Sequence, residues 1–428
     1  MKKDILVFLL IFIIALVFWR DAFSNFFAQD DFILILQFSQ NDLTGDLVNV
    51  FGKPEVTHWR PMHNFYFFVA GNLFGKSYFL YHLLTILLHV STGFLIYKIL
   101  FAIWKNFNLA FVASLIYIIH PAHFVALYWI SGSAVNIGFF FLMLSFYVYL
   151  KEQRIFSLLL YVLALLGSEA ITAGASLFAL SSFLGKKVKL DKKFLLALVA
   201  VTFVFSIIKL ASTSMAALEI YRLEISARVL GAIYYYILRV LGFAEVSGDL
   251  ALSLILAIFL LLVAWKVLIY IRNDRKKLFL SLSGFAGLFP FVLLPTHLSA
   301  HYMVLAIFGF SQFLALGICR FSKTLMIGAF LLFALISFQN IEKIQTNNWV
   351  VKRSNLAKKY FQVIKDSDIP NGSTIIFADS DISSSEEAYV TLGKGLGINF
   401  WFVDKNYTYC FERFDNCEEI TKDKYKIW

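Results

Sequence analysis

The sequence predicts an all-α polytopic membrane protein with about 11 (10–12) transmembrane helices, followed by a small C-terminal α/β soluble segment. Three observations carry this. The 428 residues are 60% hydrophobic and only 15% charged, with a mean hydropathy of +0.74. A soluble domain lies nearer half apolar and a quarter charged. The apolar excess recurs in separate runs along the chain, and a bilayer crossing takes roughly 20 apolar residues, or about 17 when short. The composition changes after Gln339, where periodic polar and apolar residues replace the long apolar runs.

The first run, "MKKDILVFLLIFIIALVFWR", has no small-residue cleavage site before Arg20, so it reads as an uncleaved first span, Ile5–Phe18. The others are Tyr78–Phe101, Leu109–Ile119, Ala134–Leu150, Ile155–Leu166, Ala170–Leu184, Phe194–Ala211, Ala251–Ile271, Leu278–Leu294, Ala300–Ile318 and Leu325–Phe338. Val229–Phe243 is either a twelfth span or a helix lying in the interface. Charge arbitrates. With the N-terminus cytoplasmic, Lys98, Lys105, "KEQR" (151–154), "GKKVKLDKK" (185–193), "IRNDRKK" (271–277) and "CRFSK" (319–323) all fall inside, as the positive-inside rule asks. A crossing at Val229–Phe243 would put "IRNDRKK" outside, so the expectation is eleven spans, with that segment re-entrant or interfacial.

The expected localisation is therefore the cell (cytoplasmic) membrane, multi-pass, with an extracytoplasmic C-terminal tail. Residues 1–340 form the membrane domain and 341–428 the tail. In the tail, "NNWVVKRSNLAKKYFQVIKD" has helical periodicity, while "STIIFAD" and "INFWFVD" read as strands. "GKGLG" (393–397) lacks the strand–helix context of a phosphate loop and reads as an ordinary loop. Cys410 and Cys417 lie on the outer side, where thiols oxidise to disulfides, and no zinc spacing is present. The net charge of +10 is explained by topology, and no nucleic-acid surface is indicated.

The polar residues that could carry chemistry gather at the expected outer face. Asp30 and Asp31 in "AQDDF" follow the first span. Read alone they are a solvated loop pair. Read functionally, one is a base for a hydroxyl proton while its neighbour holds substrate or a metal such as Mg2+ or Mn2+. In "HWRPMHN", Arg60 can fork onto a phosphate or carboxylate, with His63 nearby. Trp59 and Arg60 also suit plain interfacial anchoring. His82 and His89, seven apart, share a helix face, either packing helices or lining a site. "HPAHF" puts His120 and His123 at an outer helix end, and Glu169 sits at another. Lys209 lies near the outer end of its span, where it either snorkels or meets a ligand. His297 and His301, four apart, share a face without an evident third metal ligand.

"AQDDF", "HWRPMHNFYFFVAGNLFGKSYFLYHLLTILLHVSTGFLIY" and "FVASLIYIIHPAHFVALYWISGS" resemble, in order and spacing over roughly residues 25–140, the GT-C superfamily of membrane glycosyltransferases. The likeness is to bacterial relatives of the protein O-mannosyltransferases. "LLGSEAIT" resembles a later lysine–glutamate motif, and "PTHLSAHYMVLAIFGF" a late arginine–tyrosine motif. The resemblance implies a GT-C fold and a polyprenyl-phosphate-linked sugar donor. It also implies an outer-face site, inverting transfer to a glycan, lipid or protein, and a catalytic carboxylate at Asp30 or Asp31, with the first of the pair favoured. Arg60, His82, His120 and His123 fall on site-lining positions. His301, with Tyr302 beside it, falls where an arginine contacts donor phosphate. Val125, Ser133, Ser168 and His301 stand where the group often has Glu, Arg, Lys and Arg.

Two rivals use the same residues. A ligase or polymerase of lipid-linked glycans would bring an Arg-rich outer loop. A transporter or flippase of such glycans would bring internal repeats and charges at mid-membrane. Neither signature is evident in the sequence.

Overall fold

The computed structural model describes residues 2–39, 43–52, 59–187, 191–212, 222–243, 250–272, 277–419 and 424–427. His58, the stretches 213–221 and 244–249, and parts of "GKKVKLDKK" and "IRNDRKK" lie outside the described residues.

Among the described residues, seven helices are long and apolar enough to cross a bilayer: Lys2–Ser24, Tyr78–Trp104, Ile130–Leu150, Lys192–Ala211, Leu250–Ile271, Ala300–Ile318 and Lys323–Asn347. An eighth span results if Phe107–Ile118 and Pro121–Tyr128, bent by 45°, are taken as one. The count is lower than the expected eleven. Arg154–Gly167, Glu169–Leu184 and Ser281–Val292 are shorter apolar helices. At about 1.5 Å per residue, the 14 residues of Arg154–Gly167 reach about 21 Å, short of a hydrocarbon core of about 30 Å. The apolar runs are cut by 3-10 turns, as at Glu169–Gly174, so sequence hydropathy overstates straight helix length.

The segment at 229–243 forms a 13-residue amphipathic helix, Arg228–Val240. Ala232, Tyr236 and Val240 are buried, while Leu230, Ile233, Tyr234 and Ile237 are exposed. At 13 residues it is too short to span. On the long helices, Ile5, Leu9 and Ile13, and likewise Leu254, Ile258, Leu261 and Trp265, form exposed apolar stripes. Such stripes on a soluble protein would be a large unpaired patch, whereas a multi-pass membrane protein presents them to lipid.

The bundle interior is built from Tyr78–Trp104, Phe107–Ile118, Ala134–Leu150 and Val304–Ile318. Trp19 locks the first helix onto it, with Nε1 donating to Ile118 O at 2.9 Å. Ala134–Leu150 and Arg154–Gly167 form a tight hairpin. A Cβ on Gly167 would lie 2.9 Å from Gly138 Cα and N, a collision with backbone that no rotamer relieves. Gly167→Ala is therefore expected to destabilise by about 2 kcal/mol through overpacking, and a lowered thermal midpoint of the purified protein would register it. The hairpin also places Glu169.

The last membrane helix runs past residue 340 to Asn347, and Asn348 caps the next helix, its Oδ1 accepting from Val350 N at 2.9 Å. That helix, Trp349–Asp366, matches the predicted amphipathic stretch. Behind it lies a three-stranded parallel sheet in the order β2-β1-β3, made of β1 (Thr374–Phe377), β2 (Thr408–Phe411) and β3 (Lys424–Ile427). β1 is the expected "STIIFAD" strand, buried throughout as a central strand must be. "INFWFVD" is not a strand. It forms the helix Leu396–Trp401 and a 3-10 turn, Val403–Lys405. A strand would send Phe400 and Trp401 to opposite faces. Here both rings pack on the loop after the first span, Phe400 against Phe27 at 5.7 Å and Trp401 against Phe26 at 4.9 Å. Cys410 and Cys417 are disulfide-bonded, and Cys319 is a free thiol.

Candidate active site

The acidic pair lies where the chain leaves the first helix and turns back. Asn25 is extended, residues 26–28 take no regular structure, and Gln29 adopts a left-handed φ of 57° before the helix Asp30–Ser39 begins. The two carboxylates part at that turn. Asp31 is buried, and local donors take its oxygens. Oδ1 accepts from Ser131 N at 2.8 Å and Ser131 Oγ at 2.5 Å, and Oδ2 accepts from Ala28 N at 3.0 Å. Burial pushes its carboxyl up to about 7, against the pull of these hydrogen bonds and with a smaller push from Asp30. Asp30 faces a cavity of about 360 Å3. The Asp30 side chain is exposed to this cavity, yet the protein packed around it displaces water and raises its pKa, and the charges of Arg60, Lys394 and Arg353 partly offset that rise.

The other walls come from the breaks between helices. Arg60 immediately precedes the helix Pro61–Phe74, where Pro61 disfavours a helical conformation for it, and it sits at φ −137°. Trp129 stands between the helix Phe124–Tyr128 and the 3-10 turn Ile130–Ser133, and Ser131 lies in that turn. His301 and Tyr302 sit in the 3-10 turn Ala300–Met303, and His297 precedes it. Asp30, Arg60, Trp129, Ser131, His297, His301 and Tyr302 all line the cavity. Helix breaks leave backbone groups that a hydrocarbon environment cannot satisfy, so a polar cavity is where such breaks belong.

Arg60 is fixed by Glu169. Its Nε donates to Glu169 Oε2 at 2.9 Å and its Nη2 to Oε1. Lys209 joins them, with Nζ 3.4 Å from Glu169 Oε2 and 3.3 Å from Trp59 O. Glu169 thus stands behind the cavity wall and holds Arg60, with Lys209 on the same carboxylate. Opposite, His297 Nε2 lies 3.1 Å from Tyr302 Oη, and Ser299 Oγ lies 2.5 Å from His301 Nδ1. Burial lowers the His297 pKa, which favours the neutral ring.

Several expected site residues stand elsewhere. His82 does not line the cavity. Its Nδ1 is 3.0 Å from Leu127 O and its Nε2 2.9 Å from Asn25 O, so it ties the acidic loop to the Phe124–Tyr128 helix. His120 Nε2 is 3.0 Å from Val240 O and its Nδ1 accepts from Ala122 N, fixing a helix end to the amphipathic helix. His123 is buried among rings, 4.6 Å from both His89 and Tyr117. His63 is buried against Phe67 at 5.1 Å. Ser133 and Ser168 are buried, Ser168 accepting from Ala170 N.

Sequence reasoning missed the contribution of the tail. Trp349 and Arg353, from the first turns of the helix Trp349–Asp366, close the cavity. Trp349 meets Trp129 edge-on at 5.3 Å. The tail is also hydrogen-bonded to the acidic loop. Phe26 N donates to Ser354 Oγ at 2.6 Å, and Gln29 N donates to Thr391 O at 2.9 Å. Gly393, φ +58°, lies so close that a Cβ there would be 2.6 Å from Gln29 O. The only available signal was the amphipathic helix, which says where a helix lies and not what it covers.

Among the described residues no three His, Cys, Asp or Glu side chains converge as a metal cage. Ser131 and Ala28 engage the oxygens of Asp31, so among the described residues Asp30 is the carboxylate that lines the cavity.

Compared with known protein families and with curated proteins, the chain matches none.

Proposed function

We propose that this protein is an integral membrane glycosyltransferase of the GT-C kind. It would move a sugar from a polyprenyl-phosphate carrier to a glycan, lipid or protein hydroxyl at the outer membrane face, with the N-terminus inside and the tail outside. The supporting observation is convergence. Four segments far apart in sequence, those around Asp30, Arg60, Ser131 and His301, meet at one cavity, and each belongs to a motif that resembles the same superfamily.

The chemistry follows from the walls. An acceptor hydroxyl beside Asp30 gives its proton to the carboxylate as its oxygen bonds the anomeric carbon. The bond from that carbon to the phosphate oxygen breaks, and polyprenyl phosphate leaves with the electron pair. Arg60 supplies positive charge toward the leaving phosphate, oriented by Glu169. The tryptophans supply apolar faces for a sugar ring. A separate groove of about 590 Å3, lined by Leu241, Leu260, Leu282, Phe285 and Phe313 among others, is almost wholly apolar and suits an isoprenoid chain.

The test is transfer, in membranes carrying the protein, from radiolabelled polyprenyl-phosphate sugars, with release of polyprenyl phosphate as a second readout. No transfer and no release across a panel of sugars would overturn the reading and favour a ligase or transporter. A pH profile adds a sharper expectation. Asp30 acts ionised, so activity falls as pH drops through its pKa. Because that pKa is raised, the acid limb lies above the ordinary carboxylate range. Arg60→Gln removes a charge that holds the pKa down, so the limb of its residual activity moves further up.

A further inference from the structure

We propose that Arg353, carried by the soluble tail, is an anion-binding residue of the cavity, taking a phosphate oxygen of the lipid-linked donor through Nη1. This rests on the donor reading above and adds the residue that would recognise its charge.

The guanidinium is held on two sides. Nε donates to Glu387 Oε1 at 2.6 Å and Nη2 to Oε2 at 3.0 Å, a two-pronged grip on one edge. One face lies over Trp349, 5.5 Å from the ring centroid. Nη1 makes no hydrogen bond or ion pair among the described residues, while the side chain lines the same cavity as Asp30, Arg60 and His301. An arginine gripped on one edge has lost much of its rotamer freedom, so its remaining edge is pre-oriented for a planar or tetrahedral anion. Were the pair only a surface staple between Trp349–Asp366 and Ser385–Thr391, its position at the cavity would be incidental and its worth small. Arg60 is gripped through the same edge, Nε and Nη2, but by a Glu169 that also faces Lys209.

The experiment is binding of a short-chain polyprenyl phosphate, against the matching polyprenol, to the purified full chain in detergent. Wild type is expected to prefer the phosphate. Arg353→Gln is expected to weaken phosphate binding by about tenfold, the scale of one charge-assisted hydrogen bond, and to leave polyprenol binding unchanged. Arg353→Lys should recover part of the loss. Glu387→Gln loosens the grip but keeps the cation, so it should weaken phosphate binding by less than Arg353→Gln does and leave polyprenol binding unchanged. Unchanged phosphate binding by Arg353→Gln overturns the assignment and leaves the donor reading standing. Loss of polyprenol binding alongside phosphate binding in Arg353→Gln reduces the pair to a staple of the tail. A wild type that does not distinguish phosphate from alcohol removes the donor reading, and the assignment with it.

Discussion

Asp30→Asn is expected to lower sugar transfer by about 10²- to 10⁴-fold while leaving the thermal midpoint near that of wild type. The asparagine keeps the shape of the side chain and loses the proton acceptor. The first half of the expectation follows from the placement of Asp30 on the cavity wall, with its carboxyl pKa raised by enclosure and restrained by Arg60, Lys394 and Arg353. A base of raised pKa takes up a proton more readily than an ordinary carboxylate, so its loss is felt at the chemical step. The second half follows because the side chain faces the cavity, unlike that of Asp31. Transfer equal to wild type would remove Asp30 from the mechanism, whatever the reaction. Loss accompanied by a fall in thermal midpoint would mean a misplaced loop and no acid–base role. Measuring both quantities on one preparation separates these outcomes.

The membrane character of the chain was legible because hydropathy is a local property, and the long exposed apolar stripes are its direct expression. The number of crossings was less legible. Hydropathy does not register a 3-10 turn such as Glu169–Gly174, which shortens a run without making it polar. At the site, Asp30, Arg60, His301 and Tyr302 were visible as polar residues near helix ends, and they do line one cavity. His82 and His120 looked equivalent to them. What separates the two sets is whether a backbone carbonyl lies within reach, and that depends on how helices cross. The division of labour within "DD" could not be read at all. Adjacent residues after a left-handed Gln29 point to different surroundings, and only the fold says which of them meets Ser131. Arg353 was invisible for the same reason. Its helix was legible, but Asp30, which lines the same cavity, is more than three hundred positions earlier in the chain, beyond the reach of any periodicity.

Asp31 carries the opposite expectation, a large effect on the fold that reaches activity only through the fold. Three donors converge on its carboxylate: Ala28 N, Ser131 N and Ser131 Oγ. They join the loop after the first helix to the break at Ile130–Ser133, so one side chain sets the distance between two cavity walls. Asp31→Ala leaves all three buried donors without that acceptor, at about 1–3 kcal/mol for each one left unsatisfied. Even a partial sum should lower the thermal midpoint markedly. Asp31→Asn is the more discriminating variant. Its Oδ1 can still accept from Ser131, but its amide then turns N–H toward Ala28 N–H, donor against donor, at the cost of about one unsatisfied group. Its stability should fall between wild type and Asp31→Ala. The pH response gives an independent check. The folded-state pKa of about 7 lies above the model-compound value of 3.8, so the unfolded chain ionises first. This group's contribution to stability is then fully present below about pH 4 and declines as pH rises through about 7. Asp31→Asn, which cannot ionise, should lose that part of the pH slope. A variant that keeps the slope would place the titration on another group. A variant as stable as wild type at every pH would mean that the bridge between the acidic loop and Ser131 does not hold the cavity together.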